Sequence, residues 1–194
     1  MTEGGERYGS RRRMTVWVAL ALLLLLPFFA MQVTDQVKWN LADFAIFGGL
    51  LAAARVTYEL AARTSRNTAY RFALSIALVA AFTLVWVIGA VGILGTEDND
   101  ANLLFVGVLA FGIIGAVISR CQPLGMARAM FATALAQAVV AVIALIAGFG
   151  STGPIWPLDV LISMVFFTVL WLLSGWLFGR AARESAAAGG ASAS

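Results

Sequence analysis

Residues 72–95 read FALSIALVAAFTLVWVIGAVGILG and contain no charged side chain. A helix rises about 1.5 Å per residue, so this stretch is long enough to cross the ~30 Å hydrocarbon core of a bilayer. Transmembrane β-strands alternate apolar and polar residues, and this stretch has no such alternation. The segment therefore predicts a helix that spans a membrane.

Five more stretches of this kind lie on either side of it. The sequence predicts an all-α fold, an integral membrane six-transmembrane-helix bundle, with spans at 14–34, 43–63, 72–95, 103–119, 129–147 and 160–179. We expect a six-helix transmembrane domain over residues 14–180. Polar or low-complexity sequence predicts disordered cytoplasmic tails at 1–13 and 181–194.

The first span has a second interpretation, because three arginines precede it at positions 11–13. Such a charged start is also typical of a secretory signal peptide. The apolar run is long for a signal, and the sequence FFAM at 28–31 lacks a cleavage site of small residues. We therefore predict an uncleaved first helix.

Composition limits the chemistry that the chain can perform. The sequence is 61% apolar and 12% charged, with one cysteine and no histidine; soluble domains average roughly 25% charged residues. Without histidine, the common zinc sites, histidine-ligated haem and the usual general base are excluded. We expect no enzyme, no catalytic residue, no metal site and no cofactor.

The basic residues indicate which way the chain crosses the membrane. Eleven arginines fall on the same predicted side of the membrane as the N-terminus, whereas Lys38 alone falls on the opposite side. Basic loops stay in the cytoplasm, so both termini are predicted to be cytoplasmic. The net charge of +3 is thus explained by membrane anchoring, and we expect no nucleic-acid partner. The eleven are Arg7, Arg11, Arg12, Arg13, Arg63, Arg66, Arg71, Arg120, Arg128, Arg180 and Arg183.

Polar side chains inside the spans are the candidate functional residues. Arg55 and Glu59 lie four residues apart in the second span, where one helical turn places them on the same face. Charged groups at such depth are costly, and they mark either a structural ion pair or a functional site. Gln137, within the fifth span, is expected to bind a partner on a neighbouring helix. Together the three are the candidate lining of a polar path.

Two further patterns have competing interpretations. The segment EDNDAN at 97–102 offers oxygen ligands for a cation, but it lacks the spacing of an EF-hand and fits a solvated outer loop with a helix cap. Gly175 and Gly179 form a G-x-x-x-G pair, which suits either packing within the chain or a dimer interface. We favour the loop and packing within the chain.

Three stretches carry a resemblance to a known group of proteins. They are NTAYR at 67–71, GILGTEDNDAN at 92–102 and GMARAMFATALAQ at 125–137. In these the chain resembles an uncharacterised family of small bacterial multi-pass inner-membrane proteins, over residues 39–147. The resemblance implies a bacterial plasma membrane and no particular activity.

Two functions from different classes remain open. One is a non-enzymatic accessory or scaffold role, through helix contacts with membrane lipids and with another membrane protein or a second copy of the chain. The other is a small-solute or ion transporter or channel that uses Arg55, Glu59 and Gln137. Few buried polar groups and no broken spans are seen, which favours the first.

Overall fold

The computed structural model describes residues 18, 22, 25, 28, 29, 32, 40–90, 92–95, 99–151 and 155–191, and these include helices but no strand. The helices are α1 (Leu41–Thr64), α2 (Thr68–Ala90), α3 (Leu103–Ile118), α4 (Pro123–Ala147) and α5 (Leu158–Ala191), with a 3₁₀ helix (Asp100–Asn102) before α3. Each of the five α-helices, α3 together with the 3₁₀ helix before it, is long and apolar enough to cross a membrane. The chain is therefore a helical membrane protein.

Helices α1 to α5 correspond to the second to sixth predicted spans. Apart from six positions, the first predicted span at 14–34 lies outside the described residues, as does the tail at 1–13. The all-α prediction is confirmed for the described residues. The first span, at 14–34, and the cytoplasmic placement of the termini stay predictions.

The chain divides into two compact units, residues 1–55 and 56–194. In the first unit, α1 begins with a reciprocal cap: Asn40 Oδ1 accepts from the backbone N–H groups of Ala42 and Asp43, at 2.7 and 3.1 Å. Asp43 Oδ2 accepts in return from the Asn40 N–H at 2.8 Å. Asn40 is therefore the cap of α1, and Asp43 is the acidic partner in this box.

The second unit has its core along α5. Buried residues recur on α5 at alternating intervals of three and four, which places them on one helix face. This face packs against α2 and α4, and α3 packs against α4. The buried α5 residues are Val160, Met164, Phe167, Trp171, Ser174, Phe178 and Ala181.

Two helices extend beyond the predicted spans. Helix α4 begins at Pro123, six residues before the predicted position 129, with the proline in its first turn, where no intrahelical donor is needed. Helix α5 continues to Ala191, where the sequence analysis predicts disorder from 181. The extension is rich in alanine and is stabilised by the Arg180–Glu184 ion pair, one turn apart with Nε and Oε1 separated by 2.7 Å.

Helix α3 is the shortest, with 16 residues, or roughly 24 Å. The 3₁₀ helix Asp100–Asn102 adds three residues, or about 6 Å, in front of it. The two together match the ~30 Å thickness of the hydrocarbon core.

Candidate functional site

The most extensive polar contacts between helices lie where α2 begins, α3 meets α4 and α5 passes by. We call this the basic end, because its helix ends and turns carry Arg63, Arg66, Arg71, Arg120, Arg128, Arg180 and Arg183. The opposite end, formed by residues 92–95, 99–102 and 148–151, is called the loop end.

Tyr70 is at the centre of the basic end and is fully buried. Its hydroxyl donates to the Cys121 carbonyl at 2.7 Å, so that α2 is tied to the α3–α4 turn. Its ring meets the Phe178 ring of α5 edge to face, with centroids 5.1 Å apart. One side chain thus joins α2 to the α3–α4 turn and to α5.

The α3–α4 turn has an unusual backbone. Arg120 and Cys121 have φ values of 48° and 58°, in the left-handed region that favours glycine. The Cys121 and Arg120 N–H groups donate to the Ala116 and Val117 carbonyls, which is the Schellman pattern of a helix end. The Tyr70 hydroxyl holds this turn from the side. Strain of about 1–3 kcal/mol per residue persists only where surrounding contacts fix the backbone.

Asn67 makes two contacts at the same end. Its Oδ1 accepts from the Tyr70 N–H at 3.1 Å, which caps the first turn of α2. Its Nδ2 donates to Glu184 Oε2 at 2.8 Å, and Glu184 also accepts from Arg180. The extension of α5 is therefore bound to the start of α2.

Asparagines organise the loop end. The buried Asn102 accepts through Oδ1 from the Ile93 and Leu94 N–H groups, both at 3.0 Å. Asn99 donates to the Leu94 carbonyl at 2.7 Å and caps the 3₁₀ helix by accepting from Ala101. A side chain at Gly150 would come within 3.1 Å of the Gly95 nitrogen, so the two loops lie in close contact.

Asn99 caps the 3₁₀ helix. The predicted cap on the following membrane helix is wrong for α3, because Asn102 at its N-cap position bonds the preceding loop instead. The acidic residues at 97 and 98 lie outside the described residues. Within the described part of the chain, no three His, Cys, Asp or Glu side chains come together as a metal site.

Gln137 lies in the middle of α4 and is fully buried. Its Nε2 donates to Met164 Sδ of α5 at 3.3 Å, which confirms the predicted partner on a neighbouring helix. Its Oε1 has no hydrogen-bond partner among the described residues. The buried Trp171 Nε1 of α5 has none among them either. Gln137 therefore bonds to α5, and the structure does not join it to Glu59.

Arg55 and Glu59 are both half-buried in α1. Glu59 pairs with Arg63, one turn further along, with Oε1 and Nη2 3.4 Å apart. Whether Arg55 and Glu59 act together as an ion pair or line a path stays a prediction.

Gly175 contacts α4 within the chain, since a side chain there would lie 3.2–3.3 Å from Phe131 and Met130. A Cβ atom at Gly179 would lie 4.0 Å from the Ala127 Cβ, which also belongs to α4. These contacts support packing within the chain for the G-x-x-x-G pair.

The central role of Tyr70 is not predictable from the sequence, because a tyrosine near a span end fits an interfacial anchor equally well. The available signal was its position three residues after Asn67, whose Oδ1 accepts from the Tyr70 N–H and so places Tyr70 in the first turn of α2.

No family model, curated protein or solved structure matches the chain. The resemblance to an uncharacterised bacterial family therefore stays a prediction.

Proposed function

We propose that the chain is a multi-pass protein of the bacterial plasma (inner) membrane, with six spans and both termini in the cytoplasm. It acts without catalysis, as an accessory or scaffold, through helix contacts with another membrane protein or a second copy. Membrane lipids cover the rest of its apolar surface.

The observation that supports this role is the apolar interior of the second unit. Among the described residues, four non-aromatic polar side chains are buried: Asn102, Thr133, Gln137 and Ser174. Three of them bond backbone groups of the protein itself, which leaves Gln137 as the exception. A path for a polar solute needs a succession of polar groups at membrane depth, and this interior does not supply it.

The exposed surface of α3 supports the same proposal. Phe111, Ile114 and Val117 are each more than half exposed although α3 packs against α4. An apolar face of this kind is covered by lipid or by another helix, and small residues elsewhere on α3 allow helices to approach closely.

Flux measurements on proteoliposomes test the proposal. Under an imposed proton or potassium gradient, vesicles with the protein should leak no faster than protein-free vesicles. In mild detergent, light scattering should give a mass above that of one chain, as a dimer or a stoichiometric complex. A monomer that catalyses flux would contradict the accessory role.

The transporter or channel alternative has one specific observation in its favour. The unpartnered Oε1 of Gln137 is the kind of buried polar atom that a translocated solute could bind. If flux is observed, Gln137→Leu should abolish it, whereas Gln122→Leu, at an exposed position at the basic end, should leave it unchanged.

A further inference from the structure

The arginines of the basic end differ in their partners. Arg63 pairs with Glu59, and Arg180 pairs with Glu184. Arg71 donates to the backbone carbonyls of Ser65 and Ala62, at 3.4 and 3.5 Å. By contrast, Arg120 and Arg128 are exposed, and their side chains have no hydrogen-bond or ion-pair partner among the described residues.

The hairpin of α3 and α4 cannot neutralise these two arginines. Between positions 103 and 158 the sequence contains no aspartate or glutamate, and Arg120 and Arg128 are its only charged residues. Both charges lie near one turn, at the same end of the hairpin. The hairpin thus presents two positive charges there that need an anion from outside it.

The turn holds Arg120 in a defined place. Its left-handed backbone is fixed by the Schellman hydrogen bonds and by the contact from Tyr70 to Cys121. Arg128 lies five residues after the start of α4, or ~7.5 Å along the helix, from where its long side chain can extend toward the membrane surface.

Exposed apolar side chains border the two arginines. Ile118 is 77% exposed just before the turn, and Leu124 is 54% exposed just after it. In a helix that crosses a bilayer, such side chains contact the acyl chains, which places the adjacent arginines at the level of the phosphates. Guanidinium groups bind phosphate oxygens strongly, often through two hydrogen bonds.

We propose that the α3–α4 turn is a binding site for the headgroup of an anionic phospholipid, held by Arg120 and Arg128. A soluble acidic partner would not explain why the charges adjoin apolar surface. The site requires only that α3 and α4 span the bilayer, so it is independent of the accessory role.

Native mass spectrometry of the protein in dodecylmaltoside micelles tests this site. Dioleoylphosphatidylglycerol should bind with a measurable dissociation constant, whereas the neutral lipid dioleoylphosphatidylcholine should bind much more weakly. Arg120→Gln/Arg128→Gln should weaken phosphatidylglycerol binding about thirtyfold, since each basic residue near an anionic surface contributes about five- to sixfold.

A matched variant separates a defined site from diffuse positive charge. Arg66→Gln/Arg183→Gln removes two exposed arginines from the same end, but Arg183 adjoins Glu184 and Arg66 lies between polar residues. This variant should keep phosphatidylglycerol affinity within about threefold of the wild type, because only surface potential is lost. Equal losses in the two variants would show diffuse attraction and overturn the site.

A charge-conserving variant guards against misfolding. Arg120→Lys/Arg128→Lys should bind phosphatidylglycerol more tightly than the glutamine variant, because charge is retained even where the two-bond geometry is lost. Full phosphatidylglycerol affinity in Arg120→Gln/Arg128→Gln would refute the proposal. Binding of an acidic segment of a partner protein would then be the alternative role of the two arginines.

Discussion

Helix α4 meets α3 and helix α5 meets α2 by different means. Between α3 and α4 the contact depends on missing side chains: a Cβ atom at Gly115 would lie 2.6 Å from the Ala129 Cβ, and one at Gly125 would lie 2.3 Å from the Ser119 Cβ. Between α2 and α5 it depends on side chains that reach across, from Tyr70 to Phe178 and from Ser174 to the Ala73 carbonyl.

The difference follows from how helices associate in lipid. Acyl chains are as apolar as leucine, so close packing and hydrogen bonds between helices supply the attraction. Small residues allow two helix backbones to come close together, and a larger side chain at such a position prevents this close approach. Hydrogen bonds and aromatic contacts tolerate small changes, and each loss is limited to one interaction. The two interfaces should therefore respond very differently to single substitutions.

The largest effect is expected at the α3–α4 interface. Gly115→Leu should lower the free energy of unfolding by roughly 3 kcal/mol, because the new side chain forces the two backbones apart. Gly107→Leu is the matched control on the same helix, since no neighbouring atom lies within 4 Å of the position that a Cβ would take at Gly107. Unfolding by SDS titration, followed by tryptophan fluorescence, measures both. If Gly107→Leu lowered the free energy of unfolding as much as Gly115→Leu does, the close contact with α4 at Gly115 would not be the cause of the loss.

A smaller effect is expected at Tyr70. Tyr70→Phe keeps the ring against Phe178 but removes the hydroxyl that binds the Cys121 carbonyl, so the free energy of unfolding should fall by about 1 kcal/mol. The released turn should also let a maleimide alkylate the half-buried Cys121 faster. Tyr58→Phe is the control, because the Tyr58 hydroxyl has no such contact with the turn. Unchanged alkylation in Tyr70→Phe would show that the hydroxyl does not hold the turn.

The smallest effect is expected at Ser174. Ser174→Ala removes the hydrogen bond to the Ala73 carbonyl, and bonds of this kind between membrane helices average about 0.6 kcal/mol. Ser75→Ala should change almost nothing, because the Ser75 hydroxyl bonds Arg71 within its own helix at 2.9 Å. The same SDS titration compares the two. Equal losses would place the stabilisation in helix propensity rather than in the contact between helices.

Hydropathy predicts the helices better than their ends. Apolar stretches of about 20 residues, with charges inside only that of α1, indicate α1 to α5, because the thickness of the bilayer fixes the length of an apolar span. The charge of Arg128 places the predicted start of its span at 129, but α4 already begins at Pro123, since a long arginine side chain can lie within a helix and extend to the surface. The extension of α5 is not predicted because its alanines and glycines resemble a flexible tail in composition.

Contacts between distant residues are harder to predict. Gln137 is expected to bind a neighbouring helix, because an unpaired amide in an apolar interior is costly. That its partner is Met164 follows from the relative position of α4 and α5, which the sequence does not contain. The contact between Tyr70 and Cys121 joins residues 51 apart in sequence and depends on how four helices meet.

The proposed cytoplasmic position of the basic end is tested most directly by maleimide labelling of intact cells. Single cysteines are introduced in a Cys121→Ser background, as Arg66→Cys at the basic end and Ser151→Cys at the loop end, both at exposed positions. The arginine distribution predicts that an impermeant maleimide labels position 151 in intact cells and position 66 only after permeabilisation. Labelling of position 66 in intact cells, with position 151 protected, would contradict the proposed topology.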